Sequence, residues 1–487
     1  MAHFFKPKNN KRHSSRSGSN GHAVGVISKQ HQNVEQLSIA RLSDDGRGIA
    51  AHNGKTVFVE NALPNEIVDV VITNEKSSFY EAFANTINNK SSHRCQPQCA
   101  HYKDCGGCHL QHIDLSVQQD FKLTNVLNRL LHIGKITPQN ILPTITSEGY
   151  HYRQRVRLSV VHTNDKILLG FRKKNSKALV DIDECGVMAK PLNDLIGIVR
   201  EWLNKHRPSV SHVEVINGEQ YVGLIIRHVK PVSIVVRKKL NDLLEKFHVT
   251  CWFQASKGEV LTTIDDKICA PELTYTLGFL SDEKTRQIVY LYHPQDFVQA
   301  NAKVNQKMIN QAIALLQPQA HETFLDLFCG IGNFTLPISL SAKHVIGIEG
   351  SSKMVGQAAS NAFNNHCNNT SFKKADLFEA GAVEKIVNSE EDSDVVDGID
   401  GIVLDPPRAG AKMVCQNIKK LSPNKILYIS CDPNTFIRDA RILIDNDYIL
   451  KDFGVMDMFA QTYHSEVMGL FILNKKSNVN FTTRKIQ

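Results

Sequence analysis

The stretch TFLDLFCGIGNFT, residues 323–335, constrains this chain more than any other. An apolar run passes into a turn holding Gly330 and Gly332 and then into a helical pattern. This is the opening unit of a parallel α/β sheet, where glycines let the backbone approach a ligand at the carboxyl end of the first strand. Three more strand patterns follow, HVIGIE, TSFKKAD and GIVLDPPR, ending at Glu349, Asp376 and, just past the apolar run, Asp405. A fifth, KILYIS, delivers Cys431. From His293 onward strands and helices alternate, so these polar strand ends line one crevice.

The ligand class follows from residue types. Glu349 stands seventeen residues after Gly332, where an acid accepts both ribose hydroxyls of a nucleoside. Asp376 is set to bond an adenine amino group. Thr335 replaces the third glycine of a dinucleotide fingerprint and no phosphate cradle is present, which favours S-adenosylmethionine. DPPR alone suggests an amino-methyltransferase of adenine or cytosine, yet its fourth residue is Arg408, with no ring to stack on a base. Cys431, in YISCDPNTFIRD, points instead to covalent catalysis. A thiolate added to carbon 6 of uracil makes carbon 5 enolate-like and able to attack a sulfonium methyl. A base must then remove the carbon 5 proton, and Glu466 in TYHSEVMGLF is the candidate.

Ahead of this region, residues 34–88 carry short β-rich runs broken by DDGRG, HNG and LPNE, a spacing that predicts five strands in a small OB-type barrel. A helical pattern spans Leu115–Leu131, and residues 150–291 read as mixed, with strands including RVRLSVV, KILLGF, YVGLIIRH and SIVVRK. The expected division is a disordered basic tail over 1–33, a barrel over 34–90, a central domain over 91–290 and a class I, Rossmann-like domain over 291–487. Net charge is +8, and the first 34 residues hold six Lys or Arg and no acid, so the excess is mostly a tail able to lie along phosphates. No apolar run approaches the roughly 18 residues of a membrane span. With no secretory pattern at the start, the expected location is the cytoplasm.

Four of the eleven cysteines, Cys95, Cys99, Cys105 and Cys108, fall within fourteen residues, and DIDECGV adds Cys185. Thiols this dense bind metal, and the spacing fits zinc or iron–sulfur equally, zinc using Cys95 as a fourth ligand. Arg153, Arg155 and Arg157 alternate in YHYRQRVRLSV, on one strand face toward RNA or an acidic partner.

The motifs DLFCGIGNFTLP, LDPPRAG, ISCDPNTFIRD, TYHSE and DFVQANAKVN resemble those of the RNA uracil-5-methyltransferases, over the chain from about Val34 to its end. The resemblance implies that Cys431 is the nucleophile and Glu466 the base. It implies that Gln299, Phe328, Asn333, Glu349, Asp376 and Asp405 contact S-adenosylmethionine, and that Phe297 stacks on the target base. It further implies that residues 34–88 form a TRAM domain and that Cys99, Cys105, Cys108 and Cys185 hold a 4Fe–4S cluster. Barrel and cysteines together make the large-subunit ribosomal RNA branch more similar than the tRNA branch; nothing implies a protein partner. The tail and an acidic insertion at 388–400 extend the family pattern.

Overall fold

The computed structural model describes residues 32–255, 260–268, 273–281, 284–379, 381–383 and 398–474. The basic tail to residue 31 and the acidic stretch 388–397 lie outside the described residues.

The first sheet has six strands, one more than the turns suggest: β1 (Asn33–Ser38), β2 (Arg41–Leu42), β3 (Gly48–His52), β4 (Lys55–Glu60), β5 (Ile67–Glu75) and β6 (Phe79–Asn89), in the order β1-β5-β6-β4-β3-β2. β1 and β2 are halves of one bent strand. At the bend the Ile39 amide donates to Glu66 on one side and the Ala40 amide to Ile49 on the other, so the chain joins both edges into a barrel. Val57, Val59, Val68, Val70 and Ile39 fill it.

The chain then runs through the cysteine segment, helix α1 (Leu115–Arg129) and the two-residue strand β7 (Asn140–Ile141). Asp114 caps α1 by accepting from the Ser116 amide at 2.9 Å. Next come β8 (Arg155–His162), β9 (Ile167–Arg172), β10 (Leu179–Asp181), α2 (Lys190–His206), β11 (Val210–Asn217), β12 (Val222–His228), α3 (Ile234–Leu244) and β13 (Val249–Ala255). The sheet order is β10-β9-β8-β11-β12-β13, and Trp202, Leu203, Leu240 and Phe253 belong to its core. SIVVRK, read as a strand, forms the start of α3. Ser233 caps it by accepting from the Val236 amide at 3.5 Å, and Leu240 and Leu244 bury its apolar stripe, so packing overrides the β preference of Ile234–Val236.

The last sheet is largest. After the hairpin β14 (Leu273–Ser281)–β15 (Lys284–Tyr292) and helix α4 (Ala302–Leu316) come β16 (Thr323–Leu327), α5 (Thr335–Ser339), β17 (His344–Glu349), α6 (Ser352–Asn364), β18 (Thr370–Lys374), β19 (Gly401–Leu404), α7 (Lys412–Gln416), β20 (Lys425–Ser430), α8 (Pro433–Asp445), β21 (Tyr448–Met456) and β22 (Glu466–Leu473). The order β18-β17-β16-β19-β20-β22-β21-β7 reverses direction between β16 and β19, the switch point where open α/β sheets bind ligands. β16 to β20 are parallel, whereas β22 runs antiparallel to both β20 and β21. Two apolar layers cover the sheet, one holding Phe436, Phe453 and Phe471, the other Phe324, Met308 and Tyr290. Each such buried side chain contributes about 1.5–3 kcal/mol.

Segments from before residue 291 complete this unit. β7 pairs with β21, Leu273 and Ile288 of the hairpin enter one layer, and Val126 and Leu130 enter the other. α1 is bolted down by Lys122, whose ammonium donates to Asp457 at 2.6 Å and to the Phe459 carbonyl at 3.0 Å. Both charged side chains are 0% exposed. Lys122→Met therefore leaves a buried carboxylate unpaired and lowers unfolding free energy by about 3–5 kcal/mol in urea titrations, while Lys122→Met with Asp457→Leu regains most of it. A single-variant loss below about 1 kcal/mol contradicts this account.

Candidate active site

One cleft of about 810 Å³ opens along the carboxyl ends of β16, β17, β19 and β20. The structure brings Gln299, Phe328, Asn333, Glu349, Asp376, Asp405, Cys431 and Glu466 to its wall, together with Phe297. The cysteine set Cys99, Cys105, Cys108 and Cys185 lies elsewhere.

The turn after β16 shapes one end. Gly330 and Gly332 have φ of 59° and 94°, and Phe328 adopts φ 66°, a left-handed conformation a phenylalanine reaches only under constraint. That conformation aims its ring into the cleft, 5.6 Å from the ring of Phe378. Glu349 at the end of β17 accepts from the Gly330 amide at 3.3 Å and the Ser351 amide at 3.0 Å. Asp376 accepts from the Phe378 amide at 2.9 Å. Asn333 accepts from the Tyr275 hydroxyl at 2.9 Å and exchanges amide bonds with Asn305. This end thus offers two strand-end carboxylates, Glu349 and Asp376, between apolar walls of Ile331, Leu377 and Phe378.

The other end is set by strand pairing. Ser430 of β20 is in register with Val467 of β22, so the next step of the antiparallel ladder sets Cys431 opposite Glu466. Side chains so placed have Cβ atoms about 5 Å apart. Glu466 is 6% exposed. Burial, with the nearby Asp405 charge, pushes its carboxyl up to about 8. Burial alone lifts Asp405 to about 7. Burial and the charges of Glu466 and Asp405 push the Cys431 thiol to about 11, against the pull of Arg408. Anions here oppose one another, and a cation bound among them favours all three charged forms. Phe297 is 71% exposed at the mouth, a ring free to stack on an entering base.

Sequence reading missed Asp326, whose buried carboxylate accepts from the Thr335 hydroxyl at 2.5 Å while its other oxygen has no partner. A lone acid inside the apolar TFLDLF was the available signal. It also missed His464 and Thr462 on the cleft wall, both within the motif already singled out. The alternating arginines divide. Arg155 and Arg157 meet the buried Glu214 at 3.0 and 3.5 Å, so their partner is an internal acid. Arg153 reaches the cleft, 5.8 Å over the Phe459 ring.

Cys99 and Cys185, half-buried, pack with the buried Cys108 around Tyr102, Tyr150 and Tyr152. Among the described residues, no three His, Cys, Asp or Glu side chains are arranged to hold a metal ion. Cys95 is exposed and donates to the Gln111 carbonyl at 3.3 Å. Cys251, Cys367 and Cys415 are buried, and Cys269 lies outside the described residues.

A switch-point cleft with a glycine turn and acids at successive strand ends is that of a class I methyltransferase using S-adenosylmethionine. The family model for tRNA (uracil-5-)-methyltransferases matches residues 122–476, and that of the TRAM domain matches residues 16–84. A protein of Shewanella sp. (strain ANA-3), a 23S rRNA (uracil(1939)-C(5))-methyltransferase RlmD, is 36% identical over 98% of this chain and 100% of its own length. Its namesake in Francisella tularensis subsp. novicida (strain U112) is 37% identical over 91% of this chain and 98% of its own. In fold, the chain matches the crystal structure of Pyrococcus abyssi tRNA (uracil-54, C5)-methyltransferase in complex with S-adenosyl-L-homocysteine, with TM-score 0.66, 22% identity, and coverage of 90% and 99%. The chain belongs to the RNA uracil-5-methyltransferase family and is an enzyme of that activity.

Gly332 gives the turn its sharpest constraint. A Cβ there would stand 2.6 Å from Leu336 Cδ1 on a backbone at φ +94°. Gly332→Ala is expected to cost about 1–3 kcal/mol, read as a lower melting temperature, and to weaken S-adenosylhomocysteine binding by calorimetry.

Proposed function

We propose that this enzyme methylates carbon 5 of one uracil in 23S ribosomal RNA, equivalent to the position 1939 in its relatives' names, with Cys431 as nucleophile and Glu466 as base. The ribosomal target is supported by relatives about 36% identical along nearly the whole chain. The residue roles rest on one observation: the β20–β22 ladder sets Cys431 opposite Glu466 in the cleft that also holds the donor-type acids.

The steps follow from these positions. S-adenosylmethionine supplies an electrophilic methyl and a positive charge, with Glu349 on its ribose, Asp376 on its adenine, and Gln299, Phe328, Asn333 and Asp405 around the rest. The target uracil, swung out of its RNA, stacks on Phe297. With its proton lost to solvent under the pull of the donor's charge and Arg408, the Cys431 thiolate bonds carbon 6, the double-bond electrons pass to carbon 5 and the neighbouring carbonyl, and carbon 5 takes the methyl from sulfur, leaving neutral S-adenosylhomocysteine. The Glu466 carboxylate removes the carbon 5 proton, the carbon 5–carbon 6 double bond re-forms and the Cys431 thiolate departs.

We further propose a 4Fe–4S cluster on Cys99, Cys105, Cys108 and Cys185, with a structural role. Burial pushes Cys108 up to about 12, and Cys185, Cys105 and Cys99 add to the push. Four thiolates this close require a cationic centre to stay ionised. The choice of a cluster over zinc rests on the resemblance of the cysteine set to that of the family. Anaerobically purified protein is expected to contain iron and acid-labile sulfide and no zinc; stoichiometric zinc without iron overturns this assignment.

RNA fragments of the large subunit carrying 5-fluorouridine test the reaction, because fluorine cannot leave as a cation and the adduct stalls. A donor-dependent band on a denaturing gel, lost in Cys431→Ala, is expected; a band with tRNA alone overturns the ribosomal target. Glu466→Gln is expected to lower turnover by about 10²–10⁴-fold and to accumulate the methylated covalent adduct on ordinary uracil RNA. As the base must be deprotonated and its carboxyl sits up near 8, kcat/KM for RNA rises with pH below that value. A flat profile between pH of about 6 and 8 contradicts the role of Glu466.

A further inference from the structure

The loop after β19, residues 405–411, carries Asp405 at its start and Arg408 on the wall it shares with Cys431. Its backbone is gripped at three points. The Gly410 amide donates to the Pro407 carbonyl at 2.8 Å, closing a turn in which Arg408 is the second residue. The Ala409 carbonyl accepts from Arg438 at 2.9 Å. The Ala411 amide donates to Asp439 at 2.8 Å and to the Tyr428 hydroxyl at 3.1 Å.

Asp439 is the hub of this grip. Its side chain is 0% exposed. It accepts from the Tyr428 hydroxyl at 2.7 Å and from both prongs of Arg438, Nε at 2.8 Å and Nη2 at 3.0 Å. Burying a carboxylate is costly unless its lone pairs are used, and here the uses converge on one loop. The loop lies directly against the pair: a Cβ on Gly410, at φ +76°, would stand 2.5 Å from both Asp439 Oδ2 and Arg438 Nη2. Asp439 itself is not among the residues of the cleft wall.

Chain order gives these contacts their meaning. Tyr428 lies on β20, which ends at Ser430, and Arg438 and Asp439 lie on α8, which begins at Pro433. Strand, Cys431 and helix are one continuous stretch, so fixing the loop to Tyr428 and Asp439 fixes Arg408 relative to Cys431. Arg408 counters the push that burial, Glu466 and Asp405 exert on the thiol. Such a pull weakens with distance, so the placement of the loop decides its strength.

We infer that Asp439, with Arg438 and Tyr428, is a positioning residue for methyl transfer: it clamps the 405–411 loop to the strand and helix that flank Cys431 and so holds the Arg408 guanidinium where the thiolate forms. The inference rests on the nucleophile role proposed above for Cys431 and adds what keeps that nucleophile's cation in place.

Alkylation of Cys431 by iodoacetamide at pH of about 8.5, followed by peptide mass spectrometry on anaerobically purified protein, reads thiolate formation without RNA. Asp439→Asn keeps the side chain's shape and removes the charge that grips Arg438. It is expected to slow alkylation about three- to tenfold, and Arg408→Gln about as much. Because Asp439 acts through Arg408, adding Asp439→Asn to Arg408→Gln is expected to slow it no further. In turnover, Asp439→Asn is expected to lower kcat by a similar factor while KM for S-adenosylmethionine stays within about twofold. An Asp439→Asn alkylation rate equal to or above wild type, or losses that multiply in the double variant, overturns the clamp. If Asp439→Asn melts early, Arg438→Gln, a change at a half-exposed side chain, goes through the same cycle under the same criteria. Absence of an adduct between wild-type protein and any 5-fluorouridine RNA overturns the role of Cys431 and the clamp with it; a failed cycle beside an intact adduct overturns the clamp alone.

Discussion

The buried ion pair of Lys122 and Asp457 holds together what the chain order keeps apart. Its partners are 335 residues distant, yet meet at 2.6 Å with water excluded. Around it Gln118 donates to the Leu110 and Ile113 carbonyls and to the Gln461 side chain, while the Gln461 carbonyl accepts from the amides of His109 and Leu110. Gln461 pays for this at φ 67°. The cysteine segment, α1 and the loop leading to Glu466 are thereby one rigid piece. An unpaired charge at this depth is so unfavourable that the pair forms whole or the loop is not in place.

Rigidity matters because the cleft is electrostatically unfinished by itself. Asp405 disfavours the ionisation of Glu466, both disfavour that of Cys431, and Arg408 is the cation that pulls on the thiol. In the proposed reaction a sulfonium bound among them would favour the charged form of all three, drawing out the thiolate and the base when the methyl is at hand. After transfer the product is neutral and the protein groups return to their resting forms. The fixed loop is what keeps these groups at distances where such coupling is strong.

Much of the cleft wall was readable from residue order. Strand ends are local features: Glu349, Asp376 and Asp405 each follow an apolar run, and parallel strands deliver their carboxyl ends to one edge. Phe328 was recognisable by motif, but its left-handed backbone was not, because nothing in the residue itself prefers φ 66°. Asp326 escaped notice since burial, not pattern, makes it unusual. SIVVRK misled because three β-branched residues argue for a strand until the leucines that follow are buried against a sheet. Arg155 and Arg157 were readable as facing RNA or an acidic partner, and only the antiparallel pairing of β8 with β11 delivers the buried Glu214 to them.

The sequence by itself determined the reaction class, the identity of the nucleophile candidate and the layered α/β plan, because periodicity and strand-end chemistry act over a few residues. Tertiary structure decided what pairing across the chain decides. β22 enters antiparallel beside β20, and that register alone sets Glu466 against Cys431. β7 and the hairpin join a sheet whose other strands come much later in the chain.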